Sequence, residues 1–405
     1  MKIKYYFLTI FLSYIGFGYA QNTKRIDSLE KILQNNKEEK IYIIKNLLAE
    51  ELYQTSPDKA MKYSSEALAV AEQKQDIYNQ AFALINIGKT YKTIDSNSKA
   101  IVNFNKAINV IKNSEEWKLK LRIYKELSDV YLKTGDMKNG FLFARNYLEL
   151  SLRNGSPLDI GEAYDFLGTA YSFIDDYNYS LKCYLKALNI FEELKHKKNI
   201  ATTLNNIGVI YFYLNNYVKA YEFFNKALNN IDKSKSMNLK ADITNNLGSV
   251  YDEWHNYNKA LKYYNEALNI FILLNNRSGI ATVYNNIGLA WLKKYDYAKA
   301  LNFCFKALTI NKKTGEQYGI ANTYNNIALI SLKQKNYAPV GLYLDSAIII
   351  EKKINSKILL KEAYKIYCDL FIIKEDYKQV FNYYKKYAEI NDSLQNAINY
   401  KKISE

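Results

Sequence analysis

Apolar residues recur at helical spacing along nearly the whole chain. In residues 201–214, Leu204, Ile207, Gly208 and Tyr211 follow one another at intervals of three and four, the spacing of one buried helix face. Asn215 and Asn216 interrupt the pattern as a polar turn. Ala220, Phe223, Phe224, Ala227, Leu228 and Ile231 then resume it. The segment therefore predicts two helices joined by a short turn. Its Gly and Ala positions allow close approach, and its aromatics fill the space between.

The same pattern returns every 40 residues. Asn205-Asn206-Ile207-Gly208 reappears as Asn245-Asn246-Leu247-Gly248, Asn285-Asn286-Ile287-Gly288 and Asn325-Asn326-Ile327-Ala328. Further back, Asn86-Ile87-Gly88 and Phe166-Leu167-Gly168 hold the same phase. An aromatic follows three residues later at Tyr91, Tyr131, Tyr171, Tyr211, Tyr251 and Trp291. Small residues recur at Ala100, Ala220, Ala260 and Ala300, and again at Ala107, Ala187, Ala227, Ala267, Ala307 and Ala347. A second Tyr recurs just after each turn, from Tyr177 to Tyr377. Nine units of equal length result: 41–80, 81–120, 121–160, 161–200, 201–240, 241–280, 281–320, 321–360 and 361–400. Such a period predicts a stack of helix pairs in which each pair buries its apolar face on its neighbours.

The spacing Leu-Gly-x-x-Tyr followed by Ala-x-x-x-Phe-x-x-Ala resembles the tetratricopeptide repeat. The family's Pro near the end of the second helix is missing and the period is 40 rather than 34, so the second helices are expected to run longer. The Asn-Leu-Gly variant is similar to that of kinesin light chains and bacterial peptide-pheromone receptors. The resemblance implies an all-α, right-handed solenoid whose first helices line a concave groove. Around the array, residues 21–40, with Ile26, Leu29 and Leu33 on one face, predict a capping helix. Residues 401–405 continue the last helix. Units 41–80 and 121–160 carry Leu48 and Ser128 in place of the Gly, and the last unit lacks the Asn pair.

Eight asparagines stand mid-helix, where Asn is an unfavourable residue: Asn205, Asn206, Asn245, Asn246, Asn285, Asn286, Asn325 and Asn326. Two readings offset that cost. The resemblance implies that this face contacts a bound peptide, whose backbone an amide can both donate to and accept from. Alternatively, one Asn of each pair bonds neighbouring helices and holds the stack together.

Composition narrows the rest. Only 3 Pro and 15 Gly occur, as expected of a helical chain, and the two repeated Tyr positions account for part of the 39 Tyr. Cys183, Cys304 and Cys368 fall in or beside core positions of different repeats and read as small buried hydrophobes. His196 and His255 lie about 60 residues apart in polar turns, an arrangement that suits no metal site. No phosphate-binding Gly loop, nucleophile elbow, Cys-x-x-Cys or His-Glu-x-x-His is present in the sequence. The expectation is a non-enzymatic chain without catalytic residues, metal or cofactor.

The net charge is +15, but residues 201–214 and 281–292 carry no charge. Lysines cluster instead on turns and second helices, as at Lys219, Lys259, Lys299, Lys226 and Lys306. The basic surface is therefore expected on the outside, and nucleic acid is not expected as a partner. Lys2 and Lys4, an apolar run from Phe7 to Phe17, and Gly18-Tyr19-Ala20 predict a signal peptide over residues 1–20, with Gln21 as the first mature residue. No later stretch is apolar enough to span a membrane. An exported, periplasmic scaffold for a peptide or protein ligand follows. Signal peptide, repeat array and continuing helix together resemble the sensory region of bacterial sensor histidine kinases and related regulators. That layout implies a role in signal transduction and a membrane anchor beyond these residues. A free periplasmic scaffold or assembly factor, and a subunit whose catalysis lies in a partner chain, are the other expectations. The oligomeric state is not readable from the sequence.

Overall fold

The computed structural model describes residues 19–35, 41–94, 96–134, 136–174, 176–231, 236–354 and 356–402. The predicted signal peptide lies outside them apart from Tyr19 and Ala20, and so do 403–405 of the continuing helix. Every described element is an α-helix. After α1 (Tyr19–Asn35), the helices pair as α2 (Ile41–Leu52) with α3 (Pro57–Gln73), α4 (Ile77–Thr93) with α5 (Asn97–Val110), and α6 (Trp117–Lys133) with α7 (Met137–Asn154). α8 (Pro157–Phe173) and α9 (Tyr177–Glu193) follow. Then come α10 (Lys197–Tyr213) with α11 (Tyr217–Asn230), α12 (Met237–Glu253) with α13 (Tyr257–Leu273), and α14 (Arg277–Lys293) with α15 (Tyr297–Thr314). The last pairs are α16 (Gln317–Lys333) with α17 (Ala338–Lys353) and α18 (Lys357–Ile373) with α19 (Tyr377–Lys402). The chain divides into two compact units, Phe17–Ala170 and Tyr171–Glu405. Each is a stack of helix pairs, the all-α solenoid that the repeat predicts.

In the five pairs from α10–α11 to α18–α19 the turn is built without glycine. Asn215, His255, Tyr295, Lys335 and Glu375 all take a positive φ, between 56° and 64°. This left-handed residue lets the next amide reach back, so the Asn216 N–H donates to the Tyr211 carbonyl at 2.9 Å and the Asn256 N–H to that of Tyr251. Asn216 then caps the second helix, its side-chain oxygen accepting from the Lys219 N–H at 3.1 Å. Asn256 and Asp296 cap α13 and α15 in the same way. The first helices begin about four residues before the 40-residue frame, at Lys197, Met237, Arg277 and Gln317.

Within a pair, close approach depends on the repeated Gly. A Cβ at Gly208 would lie 2.7 Å from the Phe224 ring, and one at Gly248 would lie 2.6 Å from Tyr264. Both rings are fully buried, and in the C-terminal unit Tyr264 also packs into the cluster formed by Val283 and Ile287 of the next repeat. The two repeated Tyr positions behave differently from the expected core residues. Tyr211, Tyr251, Tyr217 and Tyr257 are only half-buried, because a phenol keeps its hydroxyl where it can find a partner. The Tyr217 hydroxyl donates to Glu253 Oε2 at 2.6 Å.

Successive first helices touch one another, α10 to α12, α12 to α14, α14 to α16 and α16 to α18, as do α2, α4 and α6 in the N-terminal unit. Second helices meet one another less closely, as where Phe305 of α15 and Tyr343 of α17 approach to 6.5 Å between ring centroids. The first helices thus form the tighter row of each stack, and the asparagines lie along it.

Candidate functional site

In the C-terminal unit the row is held by amides. All eight asparagines, Asn205, Asn206, Asn245, Asn246, Asn285, Asn286, Asn325 and Asn326, are buried. The second Asn of one repeat donates to the first Asn of the repeat before it: Asn246 Nδ2 to Asn205 Oδ1 at 3.0 Å, and Asn286 Nδ2 to Asn245 Oδ1 at 2.9 Å. Further along, Asn285 Nδ2 donates to Thr323 Oγ at 3.0 Å, and Asn325 Nδ2 donates to Glu351 Oε1 at 2.8 Å. These bonds give the mid-helix asparagines a physical reason. A buried amide must be satisfied, and for Asn246, Asn286 and Asn285 the neighbouring repeat supplies the partner.

Each first Asn nevertheless uses only half of its amide. Asn205 Nδ2 and Asn245 Nδ2 donate to nothing, and Asn285 Oδ1 and Asn325 Oδ1 accept from nothing, among the described residues. At least one unsatisfied amide group therefore recurs in each of four consecutive repeats along the row, and Asn46 Oδ1 and Asn86 Oδ1 of the N-terminal unit share the property.

Carboxyl groups accompany the amides. Burial pushes Asp242 up to about 8. Burial likewise takes Glu351 to about 8, against the opposing hydrogen bond from Asn325. Asp252 rises through burial and the proximity of Glu253, and Lys293 Nζ lies 3.2 Å from both Asp252 Oδ2 and Glu253 Oε1. Sequence reasoning missed these groups, although Asp242 and Asp252 hold the register of Thr202 and Phe212 in the preceding repeat.

The N-terminal unit carries ions on its row. Its first rung is an amide, with Asn86 Nδ2 donating to the Asn46 carbonyl at 2.9 Å. Beyond it, Lys92 Nζ binds Glu126, and Asp129 at 3.0 Å, while Lys133 reaches Asp129 at 3.1 Å. Arg122 pairs with Glu50 two repeats away. Burial alone would lower Lys92, but Glu126 and Asp129 outweigh it and hold the ammonium above its ordinary value. Burial would likewise raise Glu126, yet Lys92 and Lys89 keep it low. Aligning the repeats by frame position would have revealed this network, since Lys125 and Glu126 stand where α10 has Asn205 and Asn206.

The other candidates behave as core or surface. Cys183, Cys304 and Cys368 are buried and none is in a disulfide, and burial pushes the Cys304 thiol up to about 12. His255 occupies a left-handed turn position and His196 precedes α10. Among the described residues no group of three or more His, Cys, Asp and Glu is placed to hold a metal. The lysines of the second helices lie over rings: Lys219 over Tyr211 at 5.1 Å, Lys259 over Tyr251 at 5.2 Å and Lys299 over Trp291 at 4.2 Å. No described helix is long and apolar enough to cross a membrane.

The tetratricopeptide-repeat family model matches residues 159–233 and 199–272. Against curated proteins the sequence finds no match. Among solved structures, a Rap protein complexed with Competence and Sporulation Factor aligns with a TM-score of 0.61 at 14% identity, over 88% of this chain and 99% of that one. The Rap conjugation gene regulator of plasmid pLS20, in complex with the Phr* peptide, aligns at 0.56 and 11% identity, over 82% and 96%. The apo quorum sensor NprR from B. thuringiensis aligns at 0.54 and 17% identity, over 91% and 98%. At these identities the likeness is one of fold.

Proposed function

We propose that this chain, a tetratricopeptide-repeat protein, is a non-enzymatic scaffold that binds an extended peptide or protein segment along the first-helix row of its C-terminal unit. The observation that carries the reading is the recurrence of an unsatisfied amide group at the first Asn of successive repeats, Asn205, Asn245, Asn285 and Asn325. Neighbouring helices pack about 8–10 Å apart, and an extended chain advances about 3.3–3.6 Å per residue. One amide therefore meets the backbone of roughly every third ligand residue. Backbone recognition suits a neutral group that both donates and accepts. The named partner of one structural neighbour, the Phr* peptide, supports the same class of ligand. The four groups are buried in the ligand-free chain, so binding and a local opening of the row are one event.

An array of random decapeptides probed with the full chain tests this reading. Bound peptides should protect the amides of α10, α12, α14 and α16 from hydrogen exchange. An array without binders, or protection confined to other helices, would contradict it. A second reading has its own support in the Asn–Asn bonds, which suit a ladder that only keeps the repeats in register. Under that reading, Asn→Ala changes cost folding without a separable binding defect.

The proposed location is outside the cytoplasm, on the strength of Lys2, Lys4, the Phe7–Phe17 run and Gly18-Tyr19-Ala20. Extracted protein should begin at Gln21, whereas material that retains residues 1–20 would count against cleavage. As a sensory region, the array would pass ligand binding to a signalling module encoded further along the same gene. As a free scaffold or assembly factor it would bridge partners itself. The reading frame past codon 405 separates the two.

A further inference from the structure

Where α14, α16 and α17 of the C-terminal unit meet, buried hydrogen-bonding groups are left over, and all of them are acceptors. Asn285 Nδ2 donates to Thr323 Oγ1, Asn311 Nδ2 reaches the same oxygen at 3.3 Å, and the Thr323 hydroxyl donates to the Gly319 carbonyl at 2.7 Å. Asn325 Nδ2 donates to Glu351 Oε1 and, at 3.4 Å, to the Leu359 carbonyl. These partners fix which way the amides of Asn285 and Asn325 point, and they use up the donors. Asn285 Oδ1, Asn322 Oδ1, Asn325 Oδ1 and Glu351 Oε2 remain buried without a partner among the described residues. Asn205 and Asn245, earlier in the row, leave donors over instead, so the surplus of acceptors belongs to this end.

Glu351 stands where earlier repeats place the buried core residues Phe191 and Phe271, and it is itself 0% exposed. No described lysine or arginine pairs with it. The ionisable groups near enough to act on it are Glu362 and Tyr364 of α18 and Tyr318 of α16, none of them a cation. A carboxylate buried without a countercharge is costly, and burial keeps the Glu351 proton in place up to about 8. Asn285 and Asn322 retain 5% and 8% exposure on first helices, so the cluster opens toward the row. Four acceptors without a donor match a group that only donates. An ammonium carries three donors and a guanidinium five, and neither accepts. Either also brings the positive charge that Glu351 lacks.

We propose, on the peptide-binding reading above, that this cluster is a subsite for a cationic, donor-only group of the bound segment: its amino terminus, or a lysine or arginine side chain. The entering cation takes the place of the Glu351 proton, which passes to solvent. Three sets of random decapeptides, linked through their carboxyl ends and probed with the full chain, separate the sources. The first has free amino termini and no Lys or Arg, the second acetylated termini with Lys and Arg, and the third acetylated termini without them. Capture of the third set should be at least tenfold weaker than that of the better of the first two, and the leading set identifies the group. The chain's own net charge of +15 opposes non-specific capture of cationic peptides. Glu351→Gln keeps the side chain's shape and adds a donor, so the variant should stay helical and bind every set at the level of the third. Equal capture of the three sets by wild type would overturn the subsite and leave the peptide-binding reading standing, as would a preference that survives Glu351→Gln. No capture from any set would overturn both.

Discussion

The two units place different chemistry at the same positions of one repeat. In α6 of the N-terminal unit, Lys125 and Glu126 stand where α10 of the C-terminal unit has Asn205 and Asn206. The N-terminal row is tied by Lys92 to Glu126 and Asp129, the C-terminal row by Asn246 to Asn205 and Asn286 to Asn245. An ion pair is complete once its charges meet, and a further repeat needs a further matched pair. An amide donates on one side and accepts on the other, so the same residue can be used in every repeat. The amide rungs themselves therefore add no buried charge, although Lys293 of α14 also ties Asp252 of α12.

The sharpest way to break the comparison is to remove the cation of the N-terminal row. Lys92→Met removes a cation from the half-buried Glu126 and Asp129. Stripping one partner from a fully buried pair costs about 3–5 kcal/mol. With about a fifth of each side chain exposed and Lys133 still on Asp129, the loss should fall below that range. Urea unfolding should report that loss, with exchange accelerated in α4 and α6 and little altered in α12 and α14. The corresponding change in the other row is smaller. Asn246→Ala leaves Asn205 Oδ1 buried without its donor, for a loss of about 1–3 kcal/mol. Exchange should then rise in α10 and α12. Equal losses from the two substitutions would remove the distinction between ionic and amide rows.

Acidity separates the units more gently. The folded chain holds protons on Asp242 and Glu351 up to about 8, well above their ordinary carboxylate values. The folded state therefore binds more protons than the unfolded one between about pH 4 and 8. Their contribution to stability is fully present below about pH 4 and is lost as pH rises through 8. Glu126 and Asp129 are shifted the other way, so their contribution is present above the ordinary carboxylate range and is lost only as pH falls below it. Between pH 5 and 8 the N-terminal row should hold steady while the C-terminal row loosens with rising pH. Exchange corrected for its intrinsic pH dependence checks this, and parallel behaviour of the two rows would refute it.

Most of the architecture was legible because the repeat sets it. The 40-residue period, the Gly208 and Gly248 positions and the facing aromatics follow from helical spacing and volume alone. The turns were placed correctly, but not the left-handed residues that close them, since His255 and Tyr295 carry no signal for a positive φ. Half-burial of Tyr217 was hidden because its hydroxyl partner, Glu253, comes from the next repeat. The asparagines stood out in the sequence, whereas their cross-repeat bonds depend on rotamers that no spacing specifies. Nor did the frame distinguish Tyr384 from Tyr264, because exposure depends on what lies beyond the repeat.

The first Asn of each pair is proposed to serve a ligand as well as the stack. The most direct test of that role is binding by the double variant Asn205→Ala and Asn245→Ala, compared with wild type on the same decapeptide array and with helicity followed by circular dichroism. At least a tenfold loss of affinity is expected for the peptides that wild type captures, with helicity retained. Undiminished binding by the helical double variant would contradict it and leave the ladder as a device that only holds the repeats together.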